Sequence, residues 1–199
     1  KLSSDDELDV IRRIGSNCSR LWMEKGEVSV ATLQSWMTTN VGLFSRLTHF
    51  GCSSANDVDT KKFIDEHFIS LRVWYISSDV TDTSMIAEMS HVFRLNELRV
   101  TKAVFFTPSV HLKSDIQPMK HVHTFEFRWY YSVANLVDDE IEKFCIDLAW
   151  LLPNVKNLIL VFSDDCYLEI IKKNLFRFPN LCNYILSSRL KYRRNGLLY

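Results

Sequence analysis

The stretch HTFEFRWYYS, His123–Ser132, holds five aromatic residues in ten, with Phe125 and Phe127 alternating against Glu126 and Arg128. Alternation at period two is a strand signal, because successive side chains point to opposite faces of a sheet. Such a strand has three readings: a buried core strand, a stacking platform for nucleic-acid bases, or a face that grips a partner. Whether the segment stands alone or recurs along the chain separates them.

It recurs. With Val122, Phe125 and Phe127 set at positions 1, 4 and 6, the same apolar frame fits Leu95, Leu98 and Val100, then Val155, Leu158 and Leu160, then Leu181, Tyr184 and Leu186. FISLRVWYI fits it with Phe68, Leu71 and Val73. FSRLTHFGC fits more loosely, with Phe44 and Leu47 in place, His49 at position 6 and Cys52 at position 9. The frames begin at 44, 68, 95, 122, 155 and 181, in steps of 24, 27, 27, 33 and 26. A fixed period in this range marks a repeat architecture.

Helical segments lie between the strands. DVDTKKFIDEHF offers Asp59 or Thr60 as N-cap, and TDTSMIAEMSHVF opens with Asp82, Thr83 and Ser84 before an apolar face at helical spacing. VDDEIEKFCIDLAWLL places Asp138, Asp139 and Glu140 in a first turn, where the helix dipole favours acids. DDCYLEIIKKNLFRF follows the same logic, with acids early and Lys172 and Lys173 late. SDIQPMKHV holds Pro118, which limits it to a turn or a short helix.

A strand followed by a helix at this period, with LxxLxL spacing over roughly residues 44–189, resembles the leucine-rich-repeat family. LPNVKNLIL (152–160) and FPNLCNYIL (178–186) are closest to the F-box type of that repeat. Aromatics replace several leucines, and the position-9 Asn or Cys survives only as Cys52. The resemblance implies an α/β leucine-rich-repeat-like solenoid, with a parallel concave sheet and outer helices. It further implies a recognition role, such as the substrate-receptor part of a ubiquitin ligase. Residues 1–43 fall outside the frame. DDELDVIRRIGSNCSRLWMEKG and SVATLQSWMTTNVGLF read as two helices, and an N-terminal helical cap would shield the open end of a solenoid core. A shortened F-box is the alternative for this segment, although it lacks a leucine–proline opening. Residues 190–199 form a basic C-terminal tail.

Composition bounds the rest. Across 199 residues, five Gly and four Pro leave little room for long linkers, and one domain is expected. Zero net charge removes the long-range attraction to nucleic acid or acidic membranes that a basic protein has. No apolar run reaches the roughly 18 residues of a membrane span. Cys18, Cys52, Cys145, Cys166 and Cys182 are odd in number and scattered, which reads as reduced thiols in an intracellular protein, cytoplasmic or nuclear. Beginning at Lys1 rather than Met, the sequence reads as a fragment or a processed product, so the lack of a signal peptide carries no information.

Catalytic motifs are missing: there is no GxSxG, P-loop, GxGxxG or HExxH, so neither an enzyme nor a cofactor is expected. His121 and His123 flank Val122 with the spacing of a metal-binding pair, but no Cys or acid stands at ligand spacing. Ser163–Asp165 suits a helix cap better than an acidic site. Binding is the better expectation. If positions 1, 4 and 6 face the core, then positions 3, 5 and 7 face the open side. Those columns supply Arg72, Trp74, Arg99, Thr101, Glu126, Arg128, Ile159 and Val161, with Trp129 at position 8 on the rim beside Tyr75 and Lys102. Arg and Trp are the residue types enriched at interface hot spots. A protein partner is the first reading. The alternative is RNA, with Trp74 and Trp129 stacking on bases, the arginines meeting phosphate, and the tail (Arg189, Lys191, Arg193, Arg194) extending the path. The Ile159–Val161 patch would also suit a homodimer.

Overall fold

A computed structural model describes residues 17–23, 35, 44–52, 64–76, 86, 95–103, 116–129, 138–162 and 165–188. Seven strands are formed: β1 Arg20–Met23, β2 His49–Cys52, β3 Val73–Ile76, β4 Glu97–Ala103, β5 Thr124–Trp129, β6 Asn157–Phe162 and β7 Asn183–Ser188. They make one sheet in chain order, and every neighbouring pair is parallel. Helix α1, Asp138–Leu151, connects β5 to β6, and α2, Cys166–Asn174, connects β6 to β7 before a 3-10 turn at Leu175–Arg177. The chain is thus an α/β protein with a seven-stranded parallel sheet.

Both helices occur where the sequence places them. Asp138, Asp139 and Glu140 sit in the first turn of α1, and Lys172 and Lys173 in the last turn of α2. Asp165 stands at the N-cap of α2, but its side chain makes no capping hydrogen bond. Ile141, Phe144, Cys145, Leu148 and Leu151 form the buried stripe of α1. They join the strand residues Phe125, Phe127, Leu158 and Leu160 in one core.

Main-chain hydrogen bonds define the repeat more sharply than side chains do. In each copy one carbonyl accepts two N–H groups from the next. Ser19 O takes Thr48 and His49, Thr48 O takes Arg72 and Val73, and Arg72 O takes Asn96 and Glu97. Asn96, His123 and Lys156 continue the series. A second recurring turn leads into each strand: Leu47, Leu71, Val122, Val155 and Leu181 donate their N–H to Phe44, Phe68, Met119, Leu152 and Phe178. Asn180 Nδ2 donates to Pro153 O at 2.9 Å, and Asn154 Nδ2 to Lys120 O at 2.8 Å, tying the LPN and FPN turns to the preceding copies.

These bonds correct the frame at two copies. Position 1 is Leu47, not Phe44, and Leu71, not Phe68; the two phenylalanines are the turn residues three places earlier. Positions 1, 4 and 6 are therefore Leu47, Phe50 and Cys52 in one copy and Leu71, Trp74 and Ile76 in the next. The slip arises because apolar residues at three-residue spacing (Phe44, Leu47, Phe50; Phe68, Leu71, Trp74) satisfy positions 1 and 4 of two frames, and Val73 also fills position 6 of the earlier one, where later copies have Glu97, Thr124 and Asn157. The N-terminal helical cap meets a second correction. Arg20–Met23, inside the first predicted helix, is strand β1, with Leu21 paired to Phe50 and Trp22 to Gly51. Ser35, inside the second predicted helix, is helical; the rest of both lies outside the described residues, as does the basic tail.

Candidate functional site: the open face of the sheet

Alternation divides each strand between two environments. Phe50, Trp74, Leu98, Phe125 and Leu158 run along one row facing the helices and are fully buried. The row beside it on the other face reads Trp22, Gly51, Tyr75, Arg99, Glu126, Ile159 and Ile185, one residue per strand from β1 to β7.

This row is connected by contacts. A Cβ on Gly51 would collide with the Trp22 ring, so glycine is what lets the indole lie across β2. Trp22 meets Tyr75 edge to face, with ring centroids 5.5 Å apart. The Arg99 guanidinium lies over Tyr75, 5.0 Å from the ring centroid, a cation–π contact. Arg99 then pairs with Glu97 through Nε and with Glu126 through Nη1, the latter at 3.2 Å. Arg128 donates from Nε to the other oxygen of Glu126. Glu126 is buried, and a buried carboxylate is tolerated when its charge is matched and hydrogen-bonded, as here. A flanking row is polar: Asn183 Nδ2 donates to Asn157 Oδ1 at 3.0 Å, and Asn157 Nδ2 to Thr124 Oγ1 at 3.1 Å. Beyond β5 the face turns aliphatic, with Ile159, Val161 and the exposed Ile185.

His49, two places before Gly51, is partly buried among the charges of this face. Its pKa is held below 6.5 first by burial and then by Arg20 and Arg99, while Glu97 pulls the other way. Off the face, burial pushes the Cys145 thiol up to about 12, which leaves it unreactive. Cys166 and Cys182 are exposed free thiols.

Of the residues singled out from sequence, Arg99, Glu126, Arg128, Ile159 and Val161 come together on the open face. Arg72 does not join them: it precedes β3, exposed, and its Nη1 donates to Leu71 O. Trp74 and Trp129 are core residues, 0% and 1% exposed. Trp74 moves inward with the three-residue frame correction. Trp129 is two places beyond Phe127, and β5 runs long enough to continue the alternation, so its ring stacks on Tyr167 at 5.9 Å and contacts Phe162. Thr101 lies in β4 where the register against β5 shifts between Val100 and Ala103. Trp22 and Ile185 were missed, and Tyr75 was assigned to the rim. The signal for Trp22 was Cys18, Leu21 and Met23, which repeat the position 1, 4, 6 spacing one copy further upstream.

Among the described residues, His121 and His123 included, no group of three His, Cys, Asp or Glu could hold a metal ion. Among them, too, no helix is long and apolar enough to cross a membrane. No family model, no curated protein and no solved structure matches the chain.

Proposed function

We propose that the chain is a non-catalytic protein-recognition module whose open sheet face binds a segment of a partner. The observation that carries this reading is the continuous row Trp22–Tyr75–Arg99–Glu126–Ile159–Ile185 on the face opposite the helices. Parallel sheets are ordinarily covered on both sides. A parallel face that presents aromatic, ionic and aliphatic side chains in sequence is suited to a partner.

A leucine-rich-repeat-like solenoid is the architecture we assign. Supporting it are the strand order that follows chain order, the shared carbonyl between successive copies, and the asparagine-tied LPN and FPN turns. Membership of a larger assembly, such as a ubiquitin ligase in which the chain would select substrate, rests on the sequence resemblance alone. Free thiols at Cys18, Cys145, Cys166 and Cys182 accord with an intracellular location. RNA loses support, because Trp74 and Trp129, the two rings proposed to stack on bases, lie in the core.

A photo-crosslinking amino acid at Ile185 tests the reading, with one at Phe176 as control. Phe176 is more exposed but lies on the 3-10 turn, where neighbouring Arg177 pairs with Glu142 of α1. In native extract, Ile185 should yield a protein adduct that survives nuclease, and Phe176 should not. Equal labelling at both positions, or adducts lost to nuclease, would remove the proposal.

A further inference from the structure

We infer that the open face takes an extended acidic peptide of about nine residues, laid across the strands with its carboxylates over Arg99 and Arg128 and apolar side chains at both ends. The inference rests on the protein-recognition reading above and names the chemistry of the partner.

Charge sets the middle of the peptide. The ionic cluster is formally neutral, with two arginines and two glutamates, but its exposure is unequal. The side chains of Arg99 and Arg128 are 34% and 43% exposed, whereas those of Glu97 and Glu126 are 21% and 2% exposed. The carboxylates lie beneath the guanidiniums, so an incoming chain meets cations first. A guanidinium presents five N–H donors in a fork that matches a carboxylate, and Arg99 spends Nε and Nη1 on its glutamates.

Apolar surface sets the ends. Trp22 is 48% exposed at one edge, and Ile185 is 57% exposed at the other. Among the described residues no side chain shields either one further. The row spans six strand spacings of about 4.8 Å, roughly 29 Å, and an extended peptide covers about 3.3 Å per residue. Arg99 and Glu126 stand near the middle of that span, which places the acids centrally. A nucleic-acid strand of equal length fits poorly, because the side chains of Ile159, Val161 and Ile185 offer its phosphates no cation among the described residues.

The test is selection of a random nonapeptide library, displayed on phage, against the full chain. Two variants are selected in parallel. R99Q/E126Q/R128Q replaces three charges with amides that still hydrogen-bond one another, and Ile185→Asp places a charge at the aliphatic end. Wild type should enrich peptides with two or more central Asp or Glu between aliphatic or aromatic ends. Their affinity should fall tenfold or more on each variant and weaken as salt rises. If the triple variant does not fold, Arg128→Gln, the more exposed of the two arginines, carries the comparison and should cost severalfold. Enrichment that depends on Ile185 but shows no acidic preference would overturn the charge assignment and leave protein recognition standing. If no peptide is enriched, or enrichment is indifferent to Ile185→Asp and the triple variant alike, both readings fall. Tighter binding of a nine-nucleotide single-stranded RNA than of any selected peptide, with a steep salt dependence, would replace the peptide with nucleic acid.

Discussion

Strand β5 carries two different structures on its two sides. Phe125, Phe127 and Trp129 point toward the helices, where Phe127 meets Phe144 at 5.5 Å between ring centroids and Trp129 stacks on Tyr167. Thr124, Glu126 and Arg128 occupy the alternate positions and hold a hydrogen-bonded, ion-paired surface. One face is dominated by ring packing; the other is built from ion pairs and hydrogen bonds. Stability should therefore reside on the first side and recognition on the second. Glu126 is the point where the two mix, since it belongs to the open face yet is buried beneath its own partners.

The largest effect expected from that contrast is at Trp129. Truncation to alanine removes a fully buried ring between β5 and α2 and should cost about 3–5 kcal/mol in chemical denaturation. A cost below about 1 kcal/mol would mean the ring is not packed as described. Next comes the buried carboxylate. Arg99→Ala with Arg128→Ala strands Glu126 without its cations and should destabilise by about 3 kcal/mol. Adding Glu126→Leu should recover most of the loss, and a triple variant as unstable as the double would show that charge was not the cause. Gly51→Ala should cost about 1 kcal/mol, because the displaced Trp22 indole can swing into solvent. Its stronger signature is loss of the nuclear Overhauser contacts between Trp22 and Tyr75. The smallest effect is on His49, followed by proton NMR. Its midpoint should fall below 6.5, and Arg99→Gln should raise it, since Arg99 is among the charges that lower it. Between that midpoint and 6.5 the unfolded chain binds more protons, so this residue makes stability rise with pH across the window.

The strands from Leu95 onward were legible because each has one apolar frame. Leu95, Leu98 and Val100 admit no second fit, and neither do Val155, Leu158 and Leu160, so Arg99, Glu126, Ile159 and Val161 fell on the correct side. Frame ambiguity, not weak strand propensity, misplaced Trp74 and Arg72. Phe68 mimics position 1 of the frame because the turn into a strand also buries an apolar side chain, three places ahead of the true start. Strand β1 hid for another reason. Leu8, Ile11 and Ile14 have helical spacing that Leu21 continues seven places later, and that match masks the turn signal of Gly15, Ser16, Asn17 and Ser19 between them. The row across Trp22, Tyr75 and Arg99 depends on register between distant copies, which single strands do not encode.

The shared carbonyl between copies has a consequence for how such a chain can change. From Leu47 to Leu71 the step is 24 residues, and from Val122 to Val155 it is 33. Yet Thr48 O receives Arg72 and Val73 in the same way that His123 O receives Lys156 and Asn157. The length of the outer connection is thus a free variable, invisible to the strands that it joins. Insertions and deletions behind the sheet can accumulate while every residue of the row in front keeps its neighbours. Drift in overall length and constancy of the surface can coexist in one molecule.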